Sequence, residues 1–370
     1  MNRLTLAGLA TLVSIGFTPP AAAQTTWKYS SWTAPNAPNN RLGTVPLFDL
    51  LAKATNGTFT VQNFMGAQLF NNRTTLKGVA DGLVDAGTIV PAFTPAELKH
   101  NAIITDAPAL FTDGWASTGA ANEALFFNCP ECWGDFEQNK TITLGVYSPG
   151  QNYMQCVDDI RSAEDLRGRK VAGVSSMTAR WAEVLGQARQ QIGPGDLLPA
   201  LQRRQVDCTM SPLEFLVALS LKDVVRTVVE HPLGAFPAVH LMIVNKGSWA
   251  KLSAEHKAAL IKQMPPAIAR VVAGYNDGEA HARREAMEKG AKFIKLPAIE
   301  APWQKFVQSE ENVLVDLAKA RGVPESTTRR IVAEHVRLVQ KWKGIMDKVG
   351  RTRDALATAL WDEVFSKLKL

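Results

Sequence analysis

The chain has 370 residues, of which 46% are hydrophobic, and its 41 Lys and Arg against 35 Asp and Glu give a formal net charge of +6. This length is enough for two domains that each bury a core of their own. The positive excess is small and spread along the chain, so it gives no reason to expect a nucleic-acid partner. Four cysteines and six scattered histidines form no zinc-type spacing, so neither a metal nor another cofactor is expected.

The first residues, 1–23, have the pattern of a secretory signal peptide. A short positive start, Met1-Asn2-Arg3, precedes an apolar run, and Ala21-Ala22-Ala23 supplies a small-residue cleavage site. The apolar run is too short for a stable membrane span. The sequence therefore predicts a soluble exported protein that begins near Gln24; the alternative is an uncleaved membrane anchor.

The first part of the mature chain alternates strands and helices. The predicted elements are strands 27–32, 59–64 and 85–90 and helices 42–54 and 74–83. Thr55-Asn56-Gly57 should end the first helix, because glycine accepts a left-handed backbone. This β-α-β-α-β order predicts a doubly wound α/β domain.

A mostly helical stretch, 113–136, carries the spacing Cys129-Pro130-Glu131-Cys132. In thioredoxin-like folds such a motif follows a strand and begins a helix. Here we expect it at the end of the helix 119–127, which favours a structural disulfide over redox catalysis. Export to an oxidising compartment favours the same interpretation. Cys156 and Cys208 fall in one small domain and form a second candidate pair.

A strand at 143–147 is predicted to lead the chain into a second domain built around residues 165–213. Two short strands there flank the helical run 177–187 and a Gly/Pro break at Gly193-Pro194-Gly195, which indicates a parallel βαβ unit. Ligands of open α/β sheets bind beyond the carboxyl ends of such strands. Residues 172–176 and 209–212 are therefore expected to face one cleft.

The remaining chain returns to the first domain through a strand at 238–245 and then becomes helical. Ser253 is a good N-cap for a long helix that Pro265-Pro266 is expected to interrupt and that resumes to about residue 289. The helices that follow are predicted at 303–321, 325–349 and 354–370. A chain that crosses between halves more than once makes each domain discontinuous, with a hinge and a cleft between two lobes.

Several segments resemble the solute-binding proteins of TRAP transporters, the DctP type. In the second domain these are Asp165 to Val171, Leu185-Gly186, Ala200-Leu201-Gln202 and Val206-Asp207 with Pro212, all in the family's order; in the first they are Thr55-Asn56-Gly57, Gly78 to Asp85 and residues 103–111. The resemblance covers roughly residues 25–345. It implies a two-lobed α/β periplasmic binding protein with doubly wound sheets, discontinuous domains and long C-terminal helices.

Element order and resemblance together predict a division of the chain. The predicted parts are a signal peptide at 1–23, lobe I at 24–147 with a return segment at about 238–265, lobe II at 148–237 completed by C-terminal helices, bridging and C-terminal helices at 266–350, and a helical tail at 351–370.

The resemblance implies a periplasmic protein that captures a small organic solute, usually an organic acid, and delivers it to a TRAP-type membrane permease without catalysing a reaction. Two alternatives stay open: an exported enzyme or thiol-redox protein that uses Cys129 and Cys132, and a ligand-sensing lobe for a receptor. The sequence has no Gly-x-Ser-x-Gly elbow, P-loop or His-Glu-x-x-His motif.

The expected carboxylate site departs from the family. Its members usually hold a carboxylate with an arginine that follows the Asp-Leu-Lys-Gly element, since a guanidinium matches a carboxylate with two hydrogen bonds. Here that position is Ala172, a second basic position falls at Asn152, and the family's Glu-Asn-Pro becomes Met210-Ser211-Pro212. Either the ligand is neutral, cationic or mostly apolar, or another group holds an acid.

Arg180 is the candidate for such a replacement, because it lies one turn into a helix that begins near Ser175-Ser176. Hydroxyls and amides at a helix N-terminus can hold an anion. The alternatives are a solvated helix face for Arg180 and plain N-capping for the serines. The predicted contacts are Trp32, Asn36, Asn152, Tyr153, Ala172, Ser175, Arg180, Met210, Ser211 and Phe236.

Overall fold

The computed structural model describes residues 24–173 and 175–369, and the predicted signal peptide lies outside them. These residues form twelve strands and thirteen α-helices. The strands are β1 Thr25–Ser30, β2 Phe59–Phe64, β3 Ala86–Ile89, β4 Thr141–Thr143, β5 Val146–Tyr147, β6 Asn152–Cys156, β7 Lys170–Ala172, β8 Ala188–Gln190, β9 Cys208–Pro212, β10 Thr227–Val229, β11 Val239–Asn245 and β12 Lys292–Ile294.

The helices include three long ones towards the end of the chain. They are α1 Val45–Ala54, α2 Thr75–Ala80, α3 Lys99–Thr105, α4 Gly114–Glu123, α5 Pro130–Gln138, α6 Ser176–Val184, α7 Leu197–Gln202, α8 Phe215–Ala218, α9 Lys246–Lys251, α10 Ala254–Glu288, α11 Glu300–Ala320, α12 Glu325–Val349 and α13 Arg353–Glu363. Over the stretches that the structure describes, no helix is long and apolar enough to cross a membrane.

The strands form two six-stranded sheets. The first sheet has the order β2-β1-β3-β11-β4, with β5 also paired to β11, and the second has the order β12-β10-β6-β9-β7-β8. Strand β1 is parallel to β2 and β3, whereas β11 runs antiparallel to β3. In the second sheet β7 is parallel to β8 and β9, and β6 runs antiparallel to β9.

Both sheets are discontinuous in sequence. Strand β11 joins the first sheet only after the chain has formed β6 to β10 in the second, and β12 then returns to the second sheet. This confirms the predicted α/β class with two doubly wound, discontinuous sheets and long C-terminal helices. It also confirms the parallel pairing expected between the two strands of the segment 165–213.

Local sequence explains most of these elements. Leu47, Phe48 and Leu51 form the buried stripe of α1, which packs its apolar face onto the first sheet. The helix ends where expected, because Gly57 adopts a positive φ of 77° and its amide donates to the carbonyl of Ala52. Ser253 caps α10 by accepting a hydrogen bond from the amide of His256.

Two predictions of local structure need correction, and one strand was not predicted. Strand β8 had no sequence signal, because Ala188–Gln190 is a short edge strand without apolar alternation. The strand expected at 143–147 is two strands, β4 and β5, separated at Leu144 and Gly145. Pro265 and Pro266 lie inside α10 without interrupting it, since neighbouring residues such as Met264 and Ile268 are fully buried and hold the helix in place.

Helix α10 connects the cores of the two sheets. Val271 and Tyr275 belong to the apolar core around the first sheet, whereas Ala282 and Ala286 belong to one of the cores of the second. One rigid helix thus contributes to both halves of the molecule. The long helices α11 and α12 pack against each other, α12 also against α4, and α11 joins the core of the second sheet through Trp303 and Phe306.

Candidate functional site

A cleft of about 1020 Å³, its mouth included, lies between the two sheets. The carboxyl ends of β1, β3, β7 and β9 all point at it, which is where ligands of open α/β sheets bind. Its wall consists of Trp32, Thr33, Ala34, Ala37, Pro38, Asn39, Val90, Phe93, Tyr147, Pro149, Asn152, Gly173, Ser175, Thr178, Ile192, Pro194, Gly195, Leu197, Thr209, Met210, Ser211, Pro212, Phe215, Ala218, Leu219, Phe236, Val239 and Tyr275.

On the side of the first sheet, the loop after β1 presents Trp32. Its ring meets that of Phe93 edge to face, with centroids 5.7 Å apart. The next residue, Thr33, is held by the side chains of Asn39 and Asn40, which donate to its hydroxyl at 2.8 and 3.0 Å. Trp32 is therefore positioned by packing and by a fixed loop, and its indole Nε1 is buried without a hydrogen-bond partner among the described residues.

On the side of the second sheet, the wall follows the ends of β7 and β9. Gly173 is required there, because a Cβ at this position would lie 2.2 Å from the hydroxyl of Thr178. Ser175 caps α6 by accepting from the amide of Thr178 at 3.4 Å. Ser211 is fixed by Gln155, whose Nε2 donates to its carbonyl at 2.8 Å and its hydroxyl at 3.0 Å.

Between the sheets, two tyrosines close the cleft. The rings of Tyr147, the last residue of β5, and Tyr275, on α10, are stacked with centroids 6.2 Å apart. Burial raises the pKa of both phenols well above the usual value, so both stay protonated. Next to them lies Glu214, which is 6% exposed, and burial raises the pKa of its carboxyl to about 8.

The wall is uncharged. Among the described residues that line the cleft, none is Asp, Glu, Lys, Arg or His. Six aromatic side chains and several aliphatic ones alternate with the amides and hydroxyls of Asn, Ser and Thr. Nor does the described part of the chain contain a group of three or more His, Cys, Asp or Glu that could hold a metal ion. Such a wall can bind and orient a molecule through apolar contacts and hydrogen bonds.

Six predicted contacts lie on this wall. They are Trp32, Asn152, Ser175, Met210, Ser211 and Phe236. Trp32 and Ser175 follow β1 and β7, Met210 and Ser211 lie within β9, Asn152 begins β6 and Phe236 precedes β11. The rule that ligands bind beyond strand ends located Ser175 and the two β9 residues, whereas Asn152 came from the family resemblance.

The other four predicted contacts do not line the cleft. Asn36 is exposed, and its side-chain amide donates to the carbonyl of Ala218 at 2.8 Å. Tyr153 follows Asn152 in β6 and so points to the opposite face of the sheet, where its hydroxyl bonds Glu279 at 3.2 Å. Ala172 is fully buried in an apolar cluster with Leu201 and points into the core.

Arg180 is committed to an ion pair. Its Nη2 donates to both carboxylate oxygens of Glu310 at 2.7 Å, and Nη1 donates to the hydroxyl of Ser176 at 2.8 Å. The Asp106 carboxylate accepts from Ser176 at 2.6 Å and from Arg321 at 2.6 Å. The proposed anion site at the start of α6 is thus filled by Asp106 of this chain, which the sequence could not indicate.

Both candidate cysteine pairs are disulfides. The Cα atoms of Cys129 and Cys132 are 5.2 Å apart, and those of Cys156 and Cys208 are 4.0 Å apart. Cys129 is the C-cap of the preceding helical run, as expected, and it is also the N-cap of α5. A helical segment rather than a strand leads into it, because the run that begins at α4 continues to Asn128. Cys129 and Cys132 are both buried.

Sequence reasoning missed much of the aromatic wall. Phe93 follows β3 and Tyr147 ends β5, so the same strand-end rule could have found them. Phe215 and Tyr275 lie on helices far apart in sequence, and no local pattern marks them.

The described geometry can be compared with known proteins. Residues 31–314 match the family model DctP, bacterial extracellular solute-binding protein, family 7. The C4-dicarboxylate-binding periplasmic protein DctP of Rhodobacter capsulatus is 26% identical over 266 residues, which cover 69% of this chain and 75% of that protein.

Solved structures share the fold. A TRAP solute-binding protein from an unidentified marine microbe, specific for aromatic acid ligands and bound to 3-hydroxybenzoate, superposes with a TM-score of 0.76 at 21% identity, covering 86% of this chain and 99% of that one. A TRAP solute-binding protein from Rhodoferax ferrireducens with copurified benzoate superposes with a TM-score of 0.75 at 19% identity, covering 87% of this chain and 99% of that one. A TRAP solute-binding protein from Bordetella bronchiseptica with bound mandelate superposes with a TM-score of 0.71 at 19% identity, covering 86% of this chain and 99% of that one.

Proposed function

Because the chain belongs to the DctP family of bacterial extracellular solute-binding proteins, we propose that it captures a small organic solute in its cleft and delivers it to a TRAP-type membrane permease. The family resemblance drawn from the sequence is thereby confirmed. Members of this family are substrate-binding proteins and not enzymes.

One observation carries the proposal: the cleft lies at strand ends of both sheets. A solute within it contacts Trp32 and Phe93 of one half and Met210 and Ser211 of the other at the same time. Contacts of this kind exist only when the halves are close together. The ligand therefore stabilises the closed state through its preference for that state, and a permease can recognise the result.

Polar contacts between the halves support closure around a ligand. The exposed Asn36 amide bonds the Ala218 carbonyl, and Arg73 donates to the side chain of Gln191 at 2.8 Å. Asp106, which follows α3, bonds Ser176 at the start of α6. These bonds join residues beside the first sheet to residues beside the second.

The relatives suggest the size of the solute. Structural neighbours hold 3-hydroxybenzoate, benzoate, mandelate and orotic acid, each a single ring with a short substituent. We propose that the solute here is of similar size. We further propose a periplasmic location after cleavage near Ala23, which N-terminal sequencing of the exported protein would test.

Thermal unfolding of residues 24–370 with a library of acids, amides, polyols, amines and aromatic compounds tests the proposed capture. A ligand at about a hundred times its dissociation constant adds roughly 2.7 kcal/mol to the free energy of unfolding. We expect at least one compound to produce a clear rise in Tm. The variant Gly195→Trp should lose that rise, because Gly195 lines the cleft and has open space around its Cβ position.

Gly344→Trp is the matched control, since Gly344 also has open space around it but lies exposed on α12, away from the cleft. It should keep the ligand-induced rise in Tm. An equal rise in the Gly195→Trp variant would show that the ligand binds elsewhere, and no rise with any compound would contradict capture of a small organic solute.

A further inference from the structure

The chemistry of the wall defines the charge of the solute. We propose that the cleft binds an uncharged, mainly apolar organic molecule with at least one hydrogen-bond acceptor, which the indole N–H of Trp32 contacts directly. This inference rests on the proposed function, because it specifies the solute of the same cleft.

The first argument is the absence of a counter-charge. Among the described lining residues no side chain is ionisable apart from the two buried, protonated tyrosines. A charged group that leaves water is strongly disfavoured unless it is paired and hydrogen-bonded. A carboxylate or an ammonium group would enter this cleft without such a partner, whereas an uncharged molecule loses only the hydration of its polar atoms.

The second argument is that nearby arginines are already committed. Arg180 is bound to Glu310, whose side chain is fully buried, and releasing it would leave that carboxylate unpaired in the interior. Arg189, on β8, donates from Nη2 to the carbonyl of Gly173 at 3.2 Å and thereby supports the wall from behind. The position at which the family carries its arginine, Ala172, points into the core.

The third argument is that no carboxylate is available to pair with a cation. Glu214 is the acidic residue beside Tyr147 and Tyr275, yet it does not line the cleft. Its carboxyl is also largely protonated at neutral pH, because burial raises its pKa to about 8. It therefore offers a cationic solute neither a direct contact nor a full negative charge.

The fourth argument is the indole of Trp32. Its Nε1 is buried and has no hydrogen-bond partner in the described parts of the chain. A buried donor without an acceptor is costly and rare in folded proteins. The ring packs edge to face against Phe93 at the cleft wall. A carbonyl, ether or hydroxyl oxygen of the solute would satisfy it.

Three nearly isosteric probes test the charge. Benzamide, benzoate and benzamidinium have the same planar skeleton with charges of zero, minus one and plus one, and their 3-hydroxyphenyl and phenylacetyl analogues extend it. Calorimetric titration of residues 24–370 at pH 7 is expected to give the amide of at least one skeleton an affinity at least about tenfold above both charged forms. Gly195→Trp should abolish that binding.

The variant Trp32→Phe tests the donor, because it keeps an aromatic ring and removes the N–H. It should lower the affinity for the amide by about tenfold. The affinity for toluene, which has no hydrogen-bond acceptor, should change by less than about twofold. An equal loss for amide and toluene would overturn the role of the indole N–H.

The outcomes separate this inference from the function on which it rests. Tighter binding of a carboxylate or an amidinium, lost in Gly195→Trp, would overturn the uncharged solute and leave solute capture intact. Binding of no probe on any skeleton, with no stabilising compound in the wider library, would overturn both.

Discussion

Glu214 is a carboxyl group that the fold removes from water without compensation. Its Oε2 is buried and has no hydrogen-bond partner among the residues described. Helix α10 passes so close that a Cβ on Gly278 would lie 3.0 Å from the Cγ of Glu214. Burial is the main cause of its raised pKa, and the positive charge of Arg41 opposes the shift. The side chain therefore costs stability whenever it ionises.

Glu214→Gln should remove a pH dependence of the free energy of unfolding. The carboxyl titrates near 4.5 when unfolded and at about 8 when folded, so between these values only the folded state keeps the proton. The free energy of unfolding therefore falls as pH rises from 4.5 to 8, because only the unfolded state ionises there. The total loss is on the order of 4 kcal/mol. Urea unfolding at pH 5, 7 and 9 should show a flatter profile for the variant.

The exposed Glu183 provides the control for that experiment. Glu183→Gln should follow the wild-type profile, because folding leaves this side chain exposed to water. If Glu214→Gln kept the wild-type slope between pH 5 and 9, burial of this carboxyl would not be the cause of the loss.

At the scale of elements, the disulfide Cys156–Cys208 joins β6 and β9 where their Cα atoms are direct partners in the antiparallel ladder. Both strands lead to the cleft wall, through Asn152 and Met210. The bond spans 52 residues of sequence, whereas Cys129–Cys132 spans only 3. The two bonds therefore restrict the unfolded chain to very different extents.

Replacing both cysteines of each disulfide by alanine should lower the free energy of unfolding by different amounts. Loss of Cys156–Cys208 is expected to lower the free energy of unfolding by about 4 kcal/mol, and loss of Cys129–Cys132 by about 2 kcal/mol, from loop entropy alone. Denaturant unfolding of the two double variants measures the difference. An equal effect, or a larger one for the short loop, would show that local packing around the sulfur atoms dominates.

Sequence reasoning located the elements that have strong local signals. The amphipathic helix α1, the long helices α11 and α12 and the parallel pair β7 and β9 follow from periodicity, caps and breaks. Strand β8 could not be found, because three residues at a sheet edge carry no pattern. The separate start of α5 was not predicted, because the helical run from α4 continues to Asn128 and is divided from α5 only at Cys129.

The site was predictable only where it follows strand ends. Ser175 and Ser211 were found in this way, whereas Tyr275 comes from a helix of the other half of the sequence. Arg180 illustrates the opposite error: it looked free because its partner, Glu310, is 130 residues away in sequence. Pairing across such a distance depends on tertiary packing and leaves no trace in local composition.

At the scale of the whole molecule, one ionic cluster joins three elements. Asp106 follows α3, Ser176 and Arg180 belong to α6, and Glu310 and Arg321 lie on or directly after α11. The Asp106 carboxylate bonds Ser176 on one oxygen and Arg321 on the other. The cluster therefore connects the half that carries Trp32 to the half that carries Ser175.

Asp106→Asn should weaken the closed state and leave the cleft wall unchanged. An amide retains an acceptor for Ser176 but loses the charge that holds Arg321 at 2.6 Å. Affinities for all ligands should then fall by the same factor, on the order of five to ten, because every ligand must first restore closure. Titration with two unrelated ligands and small-angle scattering of the free protein measure both effects.

Asp81→Asn is the matched control, since Asp81 forms an exposed pair with Lys77 at 2.8 Å. It should change neither affinity nor radius of gyration. A loss in Asp106→Asn that differed between ligands would instead place this residue in the recognition of one ligand.

The uncharged wall of the cleft also determines how the surroundings affect capture. Dissolved ions screen interactions between charges and leave interactions between uncharged groups almost untouched. An uncharged solute that approaches this wall is neither steered nor repelled, so the two meet by diffusion alone. If the solute is uncharged, as proposed, its affinity should therefore change little with ionic strength below the molar salt concentrations at which salting out strengthens apolar contacts.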